Sequence, residues 1–303
     1  RALGSALSDL AAMGATPTGC LLTWGIGPDW DSAFFDQFAA ALGAGLDTYK
    51  VALWGGDTVR APTPFISVCV HGIGRKSDLL SRSGARAGDA VYVSGTIGDG
   101  FLGLQDFATG ANGAARAAYE RPVPQLALGQ ALAGVASACI DVSDGLAGDL
   151  DHICRASGVA MEIEASAVPL SAAGVAYVQY AAGLQTLVTG GDDYQLAFSV
   201  SADNAGKLDA IARTANVARQ VRRSIRRGWP TGALDVLKNP DNKRYLTKAE
   251  EGQLRSEIAH AYFIFGVDAK AIREARHAIG VGRSAASLGY WAGGLAAWRS
   301  AQY

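Results

Sequence analysis

The sequence predicts a mixed α/β, or α+β, body over residues 1 to about 216 followed by an all-α tail. Three observations predict it. Short apolar runs of strand character alternate with segments of helical spacing up to residue 216. Thirty-eight glycines punctuate those runs, more than average usage gives. From residue 229 onward, helical spacing continues with no strand signal.

Taken in order, "RALGSALSDLAAMG" reads as a helix ended by Gly14, and "TGCLLTWGI" as an apolar strand. "DSAFFDQFAAALGAGLDTY" carries apolar residues at 34, 35, 38, 42 and 46, close to helical spacing, with Asp31 placed to cap it. A short strand at Val51 to Trp54, a turn at "GGDTVR" and the β-rich "PFISVCVHGIG" complete a first segment, 1–74. In the second, 75–216, "DAVYVSG", "ACIDVS", "VAMEIEA" and "YQLAFSV" read as strands. "GLAGDLDHICRASG", ended by Gly158, and "ADNAGKLDAIARTA" read as helices.

The character then changes. No acid occurs between Ala210 and Leu234, whereas Arg213, Arg219, Arg222, Arg223, Arg226 and Arg227 do, so 217–228 is expected to be a linker or an exposed helix face. The tail, 229–303, holds "WPTGALDVL", "TKAEEGQLRSEIAHAYFIFG", "DAKAIREARHAIG" and "SAASLGYWAGGLAAWRSAQY", a series in keeping with stacked helical hairpins.

The totals narrow the function classes. A net charge of −1 gives no reason to expect nucleic acid or a membrane as partner, and the six arginines lack the aromatic interleaving of a nucleic-acid surface. No apolar run approaches the roughly 20 residues that span a bilayer. Cys20, Cys69, Cys139 and Cys154 show no CxxC spacing and read as buried, reduced thiols of a cytoplasmic protein. His71, His152, His260 and His277 lie at no ligand spacing with cysteine and read as surface or core residues, so zinc is not expected.

Acids carry the chemistry. Asp141, Asp144, Asp149 and Asp151 crowd into "IDVSDGLAGDLDH", and Asp192 and Asp193 follow two glycines in "TGGDDY". Asp9 stands on a helix in "LSDLAAMG", and Asp57 follows two glycines in "WGGDT", where missing side chains would let backbone N–H groups approach an anion. Carboxylates brought together from separate loops need a positive partner, and Mg²⁺ is satisfied by one or two of them plus substrate phosphates. Arg82 and Arg86 in "LSRSGARAGD" offer cations to a phosphate, and the amides of "SGTIGDG" offer donors. Taken singly, each acid is explained by a turn or a cap, Asp144 as the cap of the helix after it.

Six motifs, "LSDLAAMGA", "GGDTVR", "LSRSGARAGDAVYVSGTIGD", "RPVPQLALGQAL", "IDVSDGLAGDLDHI" and "GGDDYQL", make residues 1 to about 216 resemble the thiamine-monophosphate kinases of the aminoimidazole-ribonucleotide-synthetase-like superfamily. That resemblance implies two α/β domains, the first a small sheet with helices on one side that pairs with its twin in a homodimer, with nucleotide bound between the two. It implies ATP-dependent phosphorylation of thiamine monophosphate with several Mg²⁺ ions. Asp9, Asp57, Asp141 and Asp144 would be Mg²⁺ ligands, Gly56, Asp57, Arg82 and Ser143 would lie at ATP, and Asp192 would contact the thiamine part. The family's first acidic strands are expected ahead of Arg1, its last strands are replaced after residue 216, and Gln195 stands where the family has Glu. From about residue 222 the tail resembles the helical region of soluble lytic murein transglycosylases. A non-catalytic nucleotide-binding remnant carrying a helical interaction module is the alternative.

Overall fold

A computed structural model describes residues 1–281 apart from 29, 180–181, 227–229 and 265–267. The chain divides into two compact units, Arg1–Ala205 and the residues from Gly206 on.

In the first unit, α1 (Ala2–Ala12) leads into β1 (Thr16–Ile26), α2 (Ser32–Tyr49), β2 (Ala52–Arg60) and β3 (Phe65–Ile73). The strands form one sheet in the order β2-β1-β3, parallel on one side of β1 and antiparallel on the other. Alternation divides the faces. Cys20, Val68 and Val70 turn toward Leu7, Leu10 and Val51, and Trp24 stacks on Phe38 of α2 at 4.3 Å. Asp31 caps α2 by accepting the Phe34 N–H at 2.9 Å, as the sequence predicts. The opposite face is open. Leu21, Trp54, Val59, Phe65 and Ile73 each expose 40–66% of their surface there.

Then come β4 (Ala90–Val93), α3 (Asp99–Thr109), α4 (Arg116–Glu120), α5 (Leu126–Ala131), β5 (Ala138–Asp141), α6 (Leu146–Ser157), α7 (Ala172–Tyr177), α8 (Gly183–Thr189) and β6 (Leu196–Val200). β4, β6 and β5 make a second, wholly antiparallel sheet in that order. All residues of β5 and β6 are buried, and α6 covers them with Leu146, Leu150 and Ile153 against Ile140 and Ala197. Mixed pairing of this kind makes the body α+β.

Four readings need correction. The "GGDTVR" turn is strand: Cys20 faces Leu53 and Leu21 faces Gly55, so Trp54 is an unpaired bulge residue and β2 runs on to Arg60. A Cβ on Gly56 would stand 1.7 Å from the Leu22 carbonyl oxygen, so this glycine permits the strand approach. "VAMEIEA" has strand alternation but no ladder partner, and residues 159–164 form no regular element. Cys69 is exposed, because its side of the sheet is uncovered, and Cys154 is half-buried.

The second unit opens with α9 (Ala205–Arg226), whose first residue closes the preceding unit. The arginine-rich stretch, as far as Arg226, is thus helix instead of linker; Arg227 and residue 228 lie outside the described residues. After α10 (Pro230–Lys238) and α11 (Pro240–Lys243), α12 (Lys248–Ile264) and α13 (Asp268–Val281) pack as neighbours. Val221, Leu237, Leu254, Ile258 and Tyr262 fill this core. Buried beside it, Arg255 bridges Glu251 at 2.9 Å and Glu274 at 2.7 Å. The last expected helix, "SAASLGYWAGGLAAWRSAQY", lies outside the described residues.

Candidate active site

The site stands at one end of the second sheet, where the chain leaves β5 and enters β6. Because these strands are antiparallel, "IDVSDG" and "GGDDYQ" meet there, and the ladder continues past both. Val142 N–H donates to the Gln195 carbonyl at 2.7 Å, Tyr194 N–H to Val142 at 2.8 Å and Asp192 N–H to Ser143 at 2.8 Å. Gly191, at φ 71°, makes this possible: a Cβ would meet the Ser143 carbonyl oxygen at 2.5 Å.

Two buried carboxylates hold the loops. Asp149 on α6 accepts the N–H groups of Ser143 (3.0 Å) and Asp144 (3.1 Å). Asp144 therefore does not cap α6 through its side chain; the capping position belongs to Gly145. Asp193 accepts the N–H groups of Gly98 (2.8 Å) and Gly100 (2.9 Å). Those two amides of "SGTIGDG" are thereby spent on the protein, which corrects the expectation that they await a phosphate. Burial raises Asp193 to about 6 and pushes Asp149 upward as well, with the amides opposing the shift in each.

Against this end lies α1, and between them is a hollow of about 450 Å³ lined by Asp9, Asp141, Ser143, Tyr194, Ser5 and Ser67 among others. Asp141 is buried there, and its pKa is raised to about 6 by burial first and by the charges of Asp9 and Asp149 after it. Ser8, wholly buried on α1, offsets part of this; its hydroxyl stands beside Asp141 without the geometry of a full hydrogen bond. Asp9 is pushed up by partial burial and pulled back by Arg82. The hollow thus concentrates acid oxygens that resist losing their protons together, the electrostatic form of a cation site.

The other predicted residues fall around it. Asp57 is exposed on β2, in one cross-sheet row with Thr23 and Ser67 on the open face, so it lies about 10 Å from Ser67 across two strand spacings. It does not line the hollow. Gly56 precedes it within the same strand. Asp144 is exposed on the outer shoulder, with ligand atoms of Asp149 and His152 all within 4.8 Å of one another. Asp192, at φ 63°, takes the Arg1 guanidinium and the Tyr194 hydroxyl (3.0 Å) on the same oxygen. Arg86 lines a separate cavity beside β4, and Gln195 accepts from Ser94 Oγ at 2.7 Å at the sheet end.

Known proteins are similar to this chain in sequence and fold. The N-terminal domain of AIR synthase related proteins matches residues 1–74, and their C-terminal domain matches residues 86–222. Thiamine-monophosphate kinase of Haemophilus influenzae is 34% identical over 223 residues, covering 72% of this chain and 67% of the relative. The chain belongs to the thiamine-monophosphate kinase family. The Salmonella typhimurium enzyme is 39% identical over 216 residues, and this family member spans 66% of its length and matches over 69% of its own. The crystal structure of thiamine-monophosphate kinase from Stenotrophomonas maltophilia K279a matches with TM-score 0.66 and 35% identity over 71% of each chain. A complex of AaThiL with AMPPCP and TMP matches with TM-score 0.62 and 28% identity over 67% of each.

Sequence reasoning passed over Asp149 and Asp193 as loop anchors and Tyr194 as part of the hollow. Their partners lie outside any local motif: Asp193 reaches back more than 90 residues to Gly98 and Gly100. The local signal was the acid in the first turn of α6, read as one more member of the cluster.

Proposed function

We propose that this chain transfers the γ-phosphoryl group of ATP to the phosphate of thiamine monophosphate, giving thiamine diphosphate and ADP, with Mg²⁺ and without a protein nucleophile. One observation carries the reading: Asp9 on α1 and Asp141 at the end of β5 share a hollow with Ser143 in a chain whose relatives bear this enzyme's name. The bound AMPPCP and TMP of a structural neighbour support the same pair of substrates.

The residues fit Mg²⁺. The donors are hard carboxylate oxygens, and Asp141 holds its proton unusually tightly, first because it is buried and then because Asp9 and Asp149 stand near it. Asp9 and Asp141, with Asp57 and Asp144, would hold the ions, which when bound neutralise phosphate charge. The chain's own part is positioning. Asp149 fixes the backbone of Ser143 and Asp144, and Asp193 fixes the start of α3, so the loops facing the substrates are rigid before they arrive. Arg82, whose charge reaches Asp9, is assigned with Ser143, Gly56 and Asp57 to the nucleotide, and Asp192 to the thiamine part. The open apolar face of the first sheet supports a homodimer through that face, and four free thiols are in keeping with a cytoplasmic setting.

The test is formation of thiamine diphosphate from ATP and thiamine monophosphate, with Mg²⁺ and with chelator. Product that depends on Mg²⁺ upholds the reading. Nucleotide binding with no product favours the non-catalytic alternative, and absence of both removes the nucleotide reading altogether.

A further inference from the structure

We propose that Ser8 is a positioning residue for Asp141, whose carboxylate its hydroxyl orients toward the ions of the hollow. The inference rests on the reading of that hollow as a Mg²⁺ site and deepens it. Ser8 and Asp9 are consecutive on α1, and a turn of about 100° per residue sends them to different sides of the helix. Asp9 is exposed and lines the hollow, whereas Ser8 is wholly buried on a helix that packs against β5. Asp141, the last residue of β5, is thus approached from two sides. The charge of Asp9 works against its ionised form, and the hydroxyl of Ser8 works for it.

The Ser8 hydroxyl has no hydrogen-bond partner in the fold. A serine inside a helix can satisfy itself on a carbonyl of the preceding turn, as Ser5 does on the Ala2 carbonyl at 3.1 Å. Ser8 does not. A buried hydroxyl left unpaired costs stability, and alanine in its place would remove that cost while favouring the helix. The fold by itself therefore gives no reason for a serine here. Asp141 supplies one. A carboxylate that binds a cation is held in orientation by hydrogen-bond donors behind it, and removing such a donor weakens metal binding on the order of ten- to a hundredfold. Ser8 is the side-chain donor beside Asp141, and a small turn of either group closes the bond.

The experiment compares the full-length wild type with Ser8→Ala and with Ser8→Cys, which keeps the shape but donates weakly. Two quantities are read: the melting temperature in chelator, and the Mg²⁺ concentration at which AMPPCP binding is half-saturated in calorimetry. Both variants should melt no lower than wild type and should need about tenfold more Mg²⁺ or above. A merely structural serine would do the reverse, lowering the melting temperature and leaving the Mg²⁺ requirement alone. A lower melting temperature in Ser8→Ala, an unaltered Mg²⁺ requirement in either variant, or a wild type that binds no AMPPCP at any Mg²⁺ concentration would each overturn the assignment. Wild type that binds but forms no thiamine diphosphate fails the kinase reading alone, and the comparison at Ser8 still decides this one.

Discussion

Replacing Asp141 by Asn should stabilise the protein above pH 6 when divalent cations are removed. In the folded chain this carboxyl titrates near 6, against an ordinary value of 3.8, because it is buried beside Asp9 and Asp149. That difference is worth about 3 kcal/mol at 1.36 kcal/mol per pH unit. The sign follows from proton linkage. Below 3.8 the group is protonated in both states and costs nothing. Between 3.8 and 6 the unfolded chain ionises first, and above 6 the folded chain carries the full penalty. Wild type should therefore lose about 3 kcal/mol more than Asp141→Asn between pH 3.5 and 7. Asp193 contributes pH dependence of the same sign to both proteins, so the difference between the curves reports Asp141 together with its coupling to Asp9 and Asp149. Urea unfolding in chelator at several pH values reads it, and saturating Mg²⁺ should return the lost stability to wild type alone. Parallel curves from pH 4 to 7 would refute the electrostatic account of the hollow.

Three further substitutions address the scaffold. Asp193→Ala strands the Gly98 and Gly100 amides and should cost about 2 kcal/mol or more, with hydrogen exchange rising at the start of α3; unchanged exchange would deny its anchoring role. Gly56→Ala should destabilise by more than about 3 kcal/mol, because its Cβ meets the Leu22 carbonyl oxygen, whereas Gly55→Ala, with open space, should cost only the backbone strain of about 1–2 kcal/mol. Equal effects in thermal melts would show that the bulge tolerates a side chain at either position. In the helical unit, Arg255→Met leaves Glu274 buried without its cation and Glu251 with the more distant Lys243 at 3.8 Å, and should cost about 3–5 kcal/mol of that unit's stability, read by denaturant unfolding.

How much was legible depended on the range of the interaction. The Asp31 cap, the Gly158 stop of α6 and the apolar, β-rich character of β1 and β3 are local, and residue type finds them. "VAMEIEA" alternates just as well yet is no strand, since alternation records a half-buried face and not the presence of a partner. The glycines before Asp57 look like an anion turn in isolation; only the Leu22 carbonyl oxygen behind Gly56 shows that close strand pairing requires the second of them. Among the acids, residue type pointed to a cation but could not divide the labour. Asp141 and Asp9 share a hollow, Asp149 and Asp193 hold amides, and Asp57 lies across the sheet, distinctions set by tertiary placement.

The most direct test of the central claim, that Asp9 and Asp141 act as one unit toward a metal-bound nucleotide, is calorimetric binding of AMPPCP with and without Mg²⁺. Wild type should bind only with Mg²⁺, Asp9→Asn and Asp141→Asn should each lose that dependence, and the double variant should be no worse than either. Mg²⁺-dependent binding that survives both single substitutions would contradict the account.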